Sequence, residues 1–390
     1  MSTLKVDNIR HNNATSDAIT MASDGTCTAK LSSVGGGPLS HRNLIMNGKA
    51  IVFQRTLPGS VVTVNNGNNN YCMDRWYGRG EGSKGVFTFH QHDIQSQGQA
   101  AHAALRVNVT TTSTPSTDDV YKVAQRIEGR NIDGLGFGTS GAKNITLSFL
   151  TKSSVTGTHG GSIMNGSQNR AYPFTYTINS ADTWEQKSIT IPGDTTGTWS
   201  SGTGVGLEVN FDMGTAESNY RRPAGSWYNG RAEGADGAVQ LITQSGANWY
   251  VAKVQLEIGT TATTFEHVPF VDQQQRCKRY YQRFSAYGDH HHFGVARAES
   301  NTARTGIVIP VPMRAVPTVA CNGHRTFRGD GGYNSESTST PSVAYSGTGW
   351  VSDSNIYTID FPGHSLNHNQ MYCLMSKTTS TNALTLDSEL

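Results

Sequence analysis

Three aromatic residues stand where a chain would display them. Trp199 closes a Gly- and Thr-rich turn, and Trp227 and Tyr228 follow RRPAGS in a long loop. A flat ring matches the apolar face of a pyranose while Asn, Asp and Gln nearby bond its hydroxyls, so Trp199, Trp227 and Tyr228 are the expected carbohydrate contacts. Packing inside the fold is the other use of such rings. Trp76, in DRW, and Trp249 sit within strand-like patterns and are expected in a core, with Asp74 and Arg75 as structural polar partners.

Histidines gather at His90 and His92, at His290 to His292, and at His364 and His368. Alternation puts His90 and His92 on one strand face, where a three-fold axis would assemble imidazoles able to hold zinc, iron or nickel. Solvent-facing imidazoles need no metal, and neither metal nor cofactor is expected. Glu81, Asp93, Asp118, Asp119, Glu217 and Glu233 offer no distinguishable acid and base pair for glycoside cleavage. No GxSxG, HExxH or phosphate loop occurs, and GLGFG (Gly134 to Gly138) lacks a following amphipathic helix. No enzymatic activity is expected.

The elements that must position these groups are strands. Hydrophobic residues make up 35% and charged residues 15% of the chain, with 43 glycines, a profile of short strands and turns. VGLEVNFDM places Val205, Leu207, Val209, Phe211 and Met213 on one face and Gly206, Glu208, Asn210 and Asp212 on the other, predicting a strand with one wet side. NITLSF repeats the device through Ile145, Leu147 and Phe149, and NWYVAKVQLEIG through Tyr250, Ala252, Val254, Leu256 and Ile258. Strands parted by Gly, Asn and Asp turns imply a sandwich.

Between Phe270 and Phe284 the period changes. Phe270, Cys277 and Phe284 lie seven apart, with Gln273, Tyr280 and Tyr281 between them, predicting one short helix with a heptad-like stripe. That stripe lies either on the chain's own sandwich or on a three-fold axis, where these residues would hold a homotrimer together. The expected organisation is an N-terminal strand-rich docking and trimerisation segment (1–33), a linker (34–42), a sandwich (43–268), a connecting helix (269–285) and a smaller C-terminal β-sandwich (286–390).

Net charge is +2, from 31 basic and 29 acidic residues without a basic block, which argues against nucleic acid as partner. No stretch is long and apolar enough to predict membrane insertion. Cys27, Cys72, Cys277, Cys321 and Cys373 are widely spaced and odd in number, as suits reduced thiols from cytoplasmic synthesis.

Several runs are familiar together: LIMNG (Leu44 to Gly48), DRW, QRIEG (Gln125 to Gly129), NITLSF, YTINSADTWEQKSITIPGDTTGTW (Tyr176 to Trp199) and VQLEIGTTATTFEHVPFVDQQQRCKRYYQR (Val254 to Arg283). They resemble the tail-fibre and appendage proteins of marine and cyanobacterial podoviruses, over residues 43 to 285 and again at MSTLKVDNI. The resemblance implies an all-β chain. It would hold a jelly roll similar to carbohydrate-binding modules, a helix and a distal sandwich, assembled as a trimeric tail appendage of the virion. Related modules hold a structural calcium through an acidic residue in the last strand, where YVAKVQLE has Ala252 and Lys253, so that site is not expected here.

The expected function is adhesive: N-terminal strands dock to other tail or virion proteins, copies of the chain trimerise, and a host surface glycan or receptor is bound. A virion decoration protein without a receptor, and a polysaccharide-degrading tailspike, are the alternatives.

Overall fold

The computed structural model describes residues 6–10, 12, 17, 19–21, 23, 27–29, 40–56, 59–65, 67–80, 84–95, 103–284, 292–321, 324–327, 333–343, 356–367, 370–376 and 384–390. The chain is all-β, as expected. Three short antiparallel strands, Asn8–Ile9, Ile19–Met21 and Cys27–Ala29, come first, with Ile9 and Met21 nearly half exposed.

Two six-stranded antiparallel sheets then face each other. The front sheet runs in the order Glu185–Ile191, Ile145–Ser153, Asn248–Ile258, Ala103–Thr111, Val86–Asp93, Val62–Val64. The back sheet runs Ala171–Ile178, Gly157–Asn165, Val205–Asp212, Tyr121–Glu128, Trp76–Gly80, Asn70–Met73. Side chains of alternate residues meet between them: Phe87, Phe89, Val107, Leu147, Phe149 and Trp249 from the front, Trp76, Val123, Leu207, Val209 and Phe211 from the back. Trp76 and Trp249 are buried core residues, as expected. Asp74 accepts from the Gln54 backbone N–H and side-chain amide at 2.7 and 2.8 Å. The ends of this unit are pinned together, since the Asn43 N–H donates to Glu266 at 2.9 Å and the Asn43 side chain to the Val254 carbonyl at 3.1 Å.

Two expectations about strand faces fail, for different reasons. The outward face of Val205–Asp212 is not wet: Glu208, Asn210 and Asp212 are all buried. The connection through residues 213–247 lies over them, so closely that a Cβ at Gly160 would stand 3.0 Å from the Ala238 Cβ. This lid supplies Glu233, which with Glu208 receives the Lys122 ammonium at 2.8 and 2.6 Å, and Arg221, which pairs with Asp212 at 2.8 Å. In Asn248–Ile258 the expected single stripe changes face midway. Lys253 has φ of +50° and the pairing with Ile145–Ser153 slips between Ser148 and Leu150, which marks a β-bulge. Trp249 and Val251 before it, and Val254 and Leu256 after it, point inward, so Tyr250 and Ala252 face outward.

The expected helix over 269–285 is shorter. Phe270–Lys278 is helical, whereas Tyr281–Phe284 is a strand paired with Leu384–Asp387. Thr318–Ala320 completes that sheet, and a seven-stranded sheet follows in the order Tyr333–Ser337, His324–Phe327, Met371–Ser376, His292–Glu299, Thr302–Val308, Ile356–Pro362, Ser342–Val343. Its apolar layer includes Ile307, Ile309, Tyr357, Ile359, Phe361 and Leu374.

The heptad-like stripe is spent inside the chain. Cys277, Tyr280, Tyr281 and Gln273 are buried, the Tyr280 hydroxyl donates to Glu128 at 2.9 Å, and the Arg75 guanidinium stacks on the Tyr280 ring at 3.5 Å. Phe284 packs on the C-terminal core, which leaves only Phe270 of the stripe substantially exposed. The stripe as a whole is therefore closed to a neighbouring copy.

Candidate functional site

Trp199 and Trp227 are brought together, with ring centroids 5.6 Å apart and planes at 83°. Phe137 sits edge-on to both, at 4.9 and 5.7 Å, and Tyr172 packs on Trp227 at 5.2 Å. Both indole N–H groups are committed, Trp199 to Asp194 at 2.9 Å and Trp227 to the Pro192 carbonyl at 2.8 Å. Burial opposes charge on Asp194, but hydrogen bonds from Arg170 and Trp199 override it and hold the carboxyl below its ordinary range. This end of the sandwich is a pinned aromatic knot, with both indoles only partly exposed. Tyr228 leaves it, packing toward Met164, Ala171 and Ala232 under the Arg222 guanidinium at 5.0 Å.

A second arrangement occupies the outward face of the front sheet, where Tyr250 is buried and Trp184, Lys152, Arg106 and His90 around it are partly exposed. Pairing sets Lys152 opposite Tyr250, Tyr250 opposite Arg106, and Arg106 opposite His90. Trp184, one residue before Glu185, which pairs with Thr151, extends the line beside Lys152. The row Trp184, Lys152, Tyr250, Arg106, His90 thus crosses five strands at about 4.8 Å per strand, alternating ring and cation. Lys152 lies 4.4 Å from the Tyr250 ring centre and 5.3 Å from that of Trp184, and Arg106 lies 5.4 Å from Tyr250. Two flanking rows differ in character. One carries Thr88, Asn108 and Asn248, the other Leu150, Ala252, Ala104 and His92.

The electrostatics of this face are lopsided. Burial and then Arg106 lower the pKa of both His90 and His92, so the imidazoles are neutral hydrogen-bonding groups near pH 7. Burial lowers Lys152, with Asp182 opposing it. Asp93, at the end of its strand, and Asp182 lie at the margins of the rows. Among the described residues Arg106 has no ion pair, and Arg106 Nε, His90 Nδ1 and Asn248 Oδ1 are buried atoms without a hydrogen-bond partner. Farther along the same face, Lys49, Ser148, Gln186, Lys253, Phe265 and His267 line a groove of about 480 Å³.

Of this face the sequence reading singled out only His90 and His92. The signal for the rest was the broken stripe in NWYVAKVQLEIG, where two inward pairs out of phase force Tyr250 outward.

The carboxylates considered for catalysis are placed as structural groups. Glu233 holds Lys122, Glu217 pairs with Arg221 at 2.8 Å, Asp119 accepts from Ser116, Asp118 from Asn219, and Asp93 from the Gln95 N–H. Glu81, His290, His291 and His368 lie outside the described residues. His364 meets His324 instead, Nε2 to Nδ1 at 2.7 Å. Among the described residues no three His, Cys, Asp or Glu side chains converge as a metal set. Cys72, Cys277 and Cys321 are buried free thiols.

No protein-family model matches the chain, and no curated protein does. Solved structures do resemble it. The family 11 carbohydrate-binding module from Clostridium thermocellum, in complex with a mixed-linked tetrasaccharide, is 13% identical over 49% of this chain and 91% of its own, with a TM-score of 0.26. TmCBM61, in complex with beta-1,4-galactotriose, is 10% identical over 56% and 99%, at 0.27. The enzymatically active domain of Bacteriophage CBA120 tailspike protein 4 is 11% identical over 55% of this chain and 21% of that longer one, also at 0.27. These are likenesses of carbohydrate-binding-module-like sandwiches, and at such scores they locate no residue of a site.

Proposed function

We propose that this chain is a non-enzymatic adhesive protein of a bacterial virus tail appendage, whose first sandwich binds a host surface glycan. The ring and cation row on the front sheet carries the reading. Trp184, packed on the buried Tyr250 ring, offers partly exposed ring surface, and Arg106, His90 and the amides of Asn108 and Asn248 stand beside it as polar groups, the combination a sugar needs. The runs that resemble podovirus tail-fibre proteins support the virion placement and a homotrimer, in which three modest sites act as one strong one. The exposed N-terminal strands, too small to bury a core, suit docking to other virion proteins.

Purified protein added to host cells tests this. Adsorption that blocks infection by the virus, and that falls at least about tenfold on Trp184→Ala with the fold intact, is the expected result. Failure to adsorb would instead favour a decoration protein. Release of reducing ends from host polysaccharide would return the tailspike alternative.

A further inference from the structure

The groove beyond the ring and cation row rests on a strained backbone. Lys253, one of its lining residues, holds φ of +50° at the β-bulge, a conformation that asparagine or glycine would take more readily than lysine. Bulges re-aim side chains, and this one turns the lysine out of its strand's alternation. Directly after it, the Val254 N–H donates to the Gly48 carbonyl at 3.0 Å. A Cβ at Gly48 would stand 2.2 Å from the Val254 carbonyl oxygen, so glycine is required for this approach. The approach brings Lys49 and Lys253 to one groove of about 480 Å³, a volume suited to a small molecule.

No carboxylate lines this groove among the described residues. The nearest acids in sequence are committed elsewhere. Glu257 accepts from the Thr263 N–H and hydroxyl at 2.8 and 2.6 Å, and Glu266 from the Asn43 N–H at 2.9 Å. Lys253 has no ion pair among the described residues, and Lys49 donates to His267 Nδ1 at 2.7 Å. An ammonium can only donate, so the neutral ring keeps its own proton on Nε2 as a further donor. Burial, and then the Lys253 charge, lower the Lys49 pKa, which marks two ammonium groups close enough to repel. A ligand with about two negative charges relieves both, and a phosphate monoester carries that charge near pH 7. Phe265 is partly exposed, with Lys49 5.7 Å from its ring centre, so an apolar face adjoins the cations. Ser148 and Gln186 add groups that can bond hydroxyls.

We infer that the groove binds a sugar bearing a phosphate ester, its phosphate between Lys49 and Lys253 and its ring against Phe265. The site is separate from the Trp184 row and stands without it. Charge complementarity selects the ligand: a neutral sugar leaves the two lysines facing each other, and a single negative charge answers only one of them.

The test is titration calorimetry of the full chain at about pH 7.5, above the second phosphate ionisation, against glucose 6-phosphate, glucose 6-sulfate, glucose and inorganic phosphate. Glucose 6-phosphate is expected to bind at least about tenfold tighter than the other three, and to lose about tenfold in Lys49→Gln and in Lys253→Asn. Lys253→Asn should melt no lower than the native chain, because asparagine accepts the left-handed backbone, and this separates lost binding from lost fold. Trp184→Ala should leave this binding unchanged. Equal binding of glucose or glucose 6-sulfate overturns the assignment of two charges, and equal binding of inorganic phosphate overturns the sugar. Absence of binding at millimolar ligand overturns the site. Binding that is lost in Trp184→Ala and kept in both lysine variants moves the ligand to the row, which overturns the groove and leaves the adhesive reading standing.

Discussion

Lys122 is 1% exposed and faces two carboxylates that are themselves buried, Glu208 and Glu233, while Arg126 holds the second oxygen of Glu208 at 2.7 Å. Replacing this lysine by methionine preserves bulk and removes the one cation shared by both carboxylates, leaving Arg126 alone on Glu208 and Arg231 alone on Glu233. Lys122→Met is expected to cost about 3–5 kcal/mol, measurable by urea denaturation. The Trp199 indole has a smaller task. Trp199→Phe keeps the ring contact and removes one of the donors to Asp194, which Arg170 still holds, so a loss of about 1 kcal/mol is expected, with glycan binding unchanged. The types of these residues were legible in the sequence, but not their partners. Trp199 and Trp227 read as two displayed rings because nothing local says that Phe137 and Tyr172 wedge against them. Glu208 read as solvent-facing because the segment that covers it lies outside its own strand's pattern.

Strands were the most legible elements, since burial of one face writes a period of two directly into Ile145, Leu147 and Phe149. Where geometry departs from that period the reading slipped, as at Lys253, whose left-handed backbone inverts the faces of the residues on either side. The short helix shows a different ambiguity. A stripe of Cys277, Tyr280 and Tyr281 reads the same whether it meets its own sandwich or a second copy. With those residues buried, the exposed Phe270 and Val271, 51% and 61% accessible, are what the helix can offer a neighbour. In a trimer built through this helix, Phe270→Ser with Val271→Ser lowers the mass seen by light scattering at micromolar concentration. Cys277→Ala should lower the melting temperature and leave the mass alone.

The whole molecule has an acid limit written into its C-terminal sheet. His324 and His364 are buried against each other, and His324 Nε2 also meets the Ser339 carbonyl at 3.0 Å. Burial, and then His324, drive the His364 pKa from 6.5 down to about 4. The folded chain therefore stays neutral there while the unfolded chain takes up a proton. Stability is present above pH 6.5 and drains away as pH falls toward 4. Calorimetric melting across that interval should fall in the native chain and fall less in His364→Gln.

The seam between the two folded parts is just as polar. Arg55 reaches Asp387 at 2.8 Å and rests on the Tyr71 and Tyr281 rings at 4.4 and 3.9 Å. Arg75 meets Glu389, and Arg126 the Leu390 carbonyl at 2.6 Å.

Arg75 and Glu389 are 314 positions apart in the chain. At about 5–20 residues per second a ribosome delivers these arginines tens of seconds before the acidic segment that neutralises them. Throughout that interval a completed first sandwich would carry a naked positive socket, flanked by tyrosines. Prematurely terminated chains would keep the socket open permanently, and a short acidic peptide copying residues 384–390 should plug it.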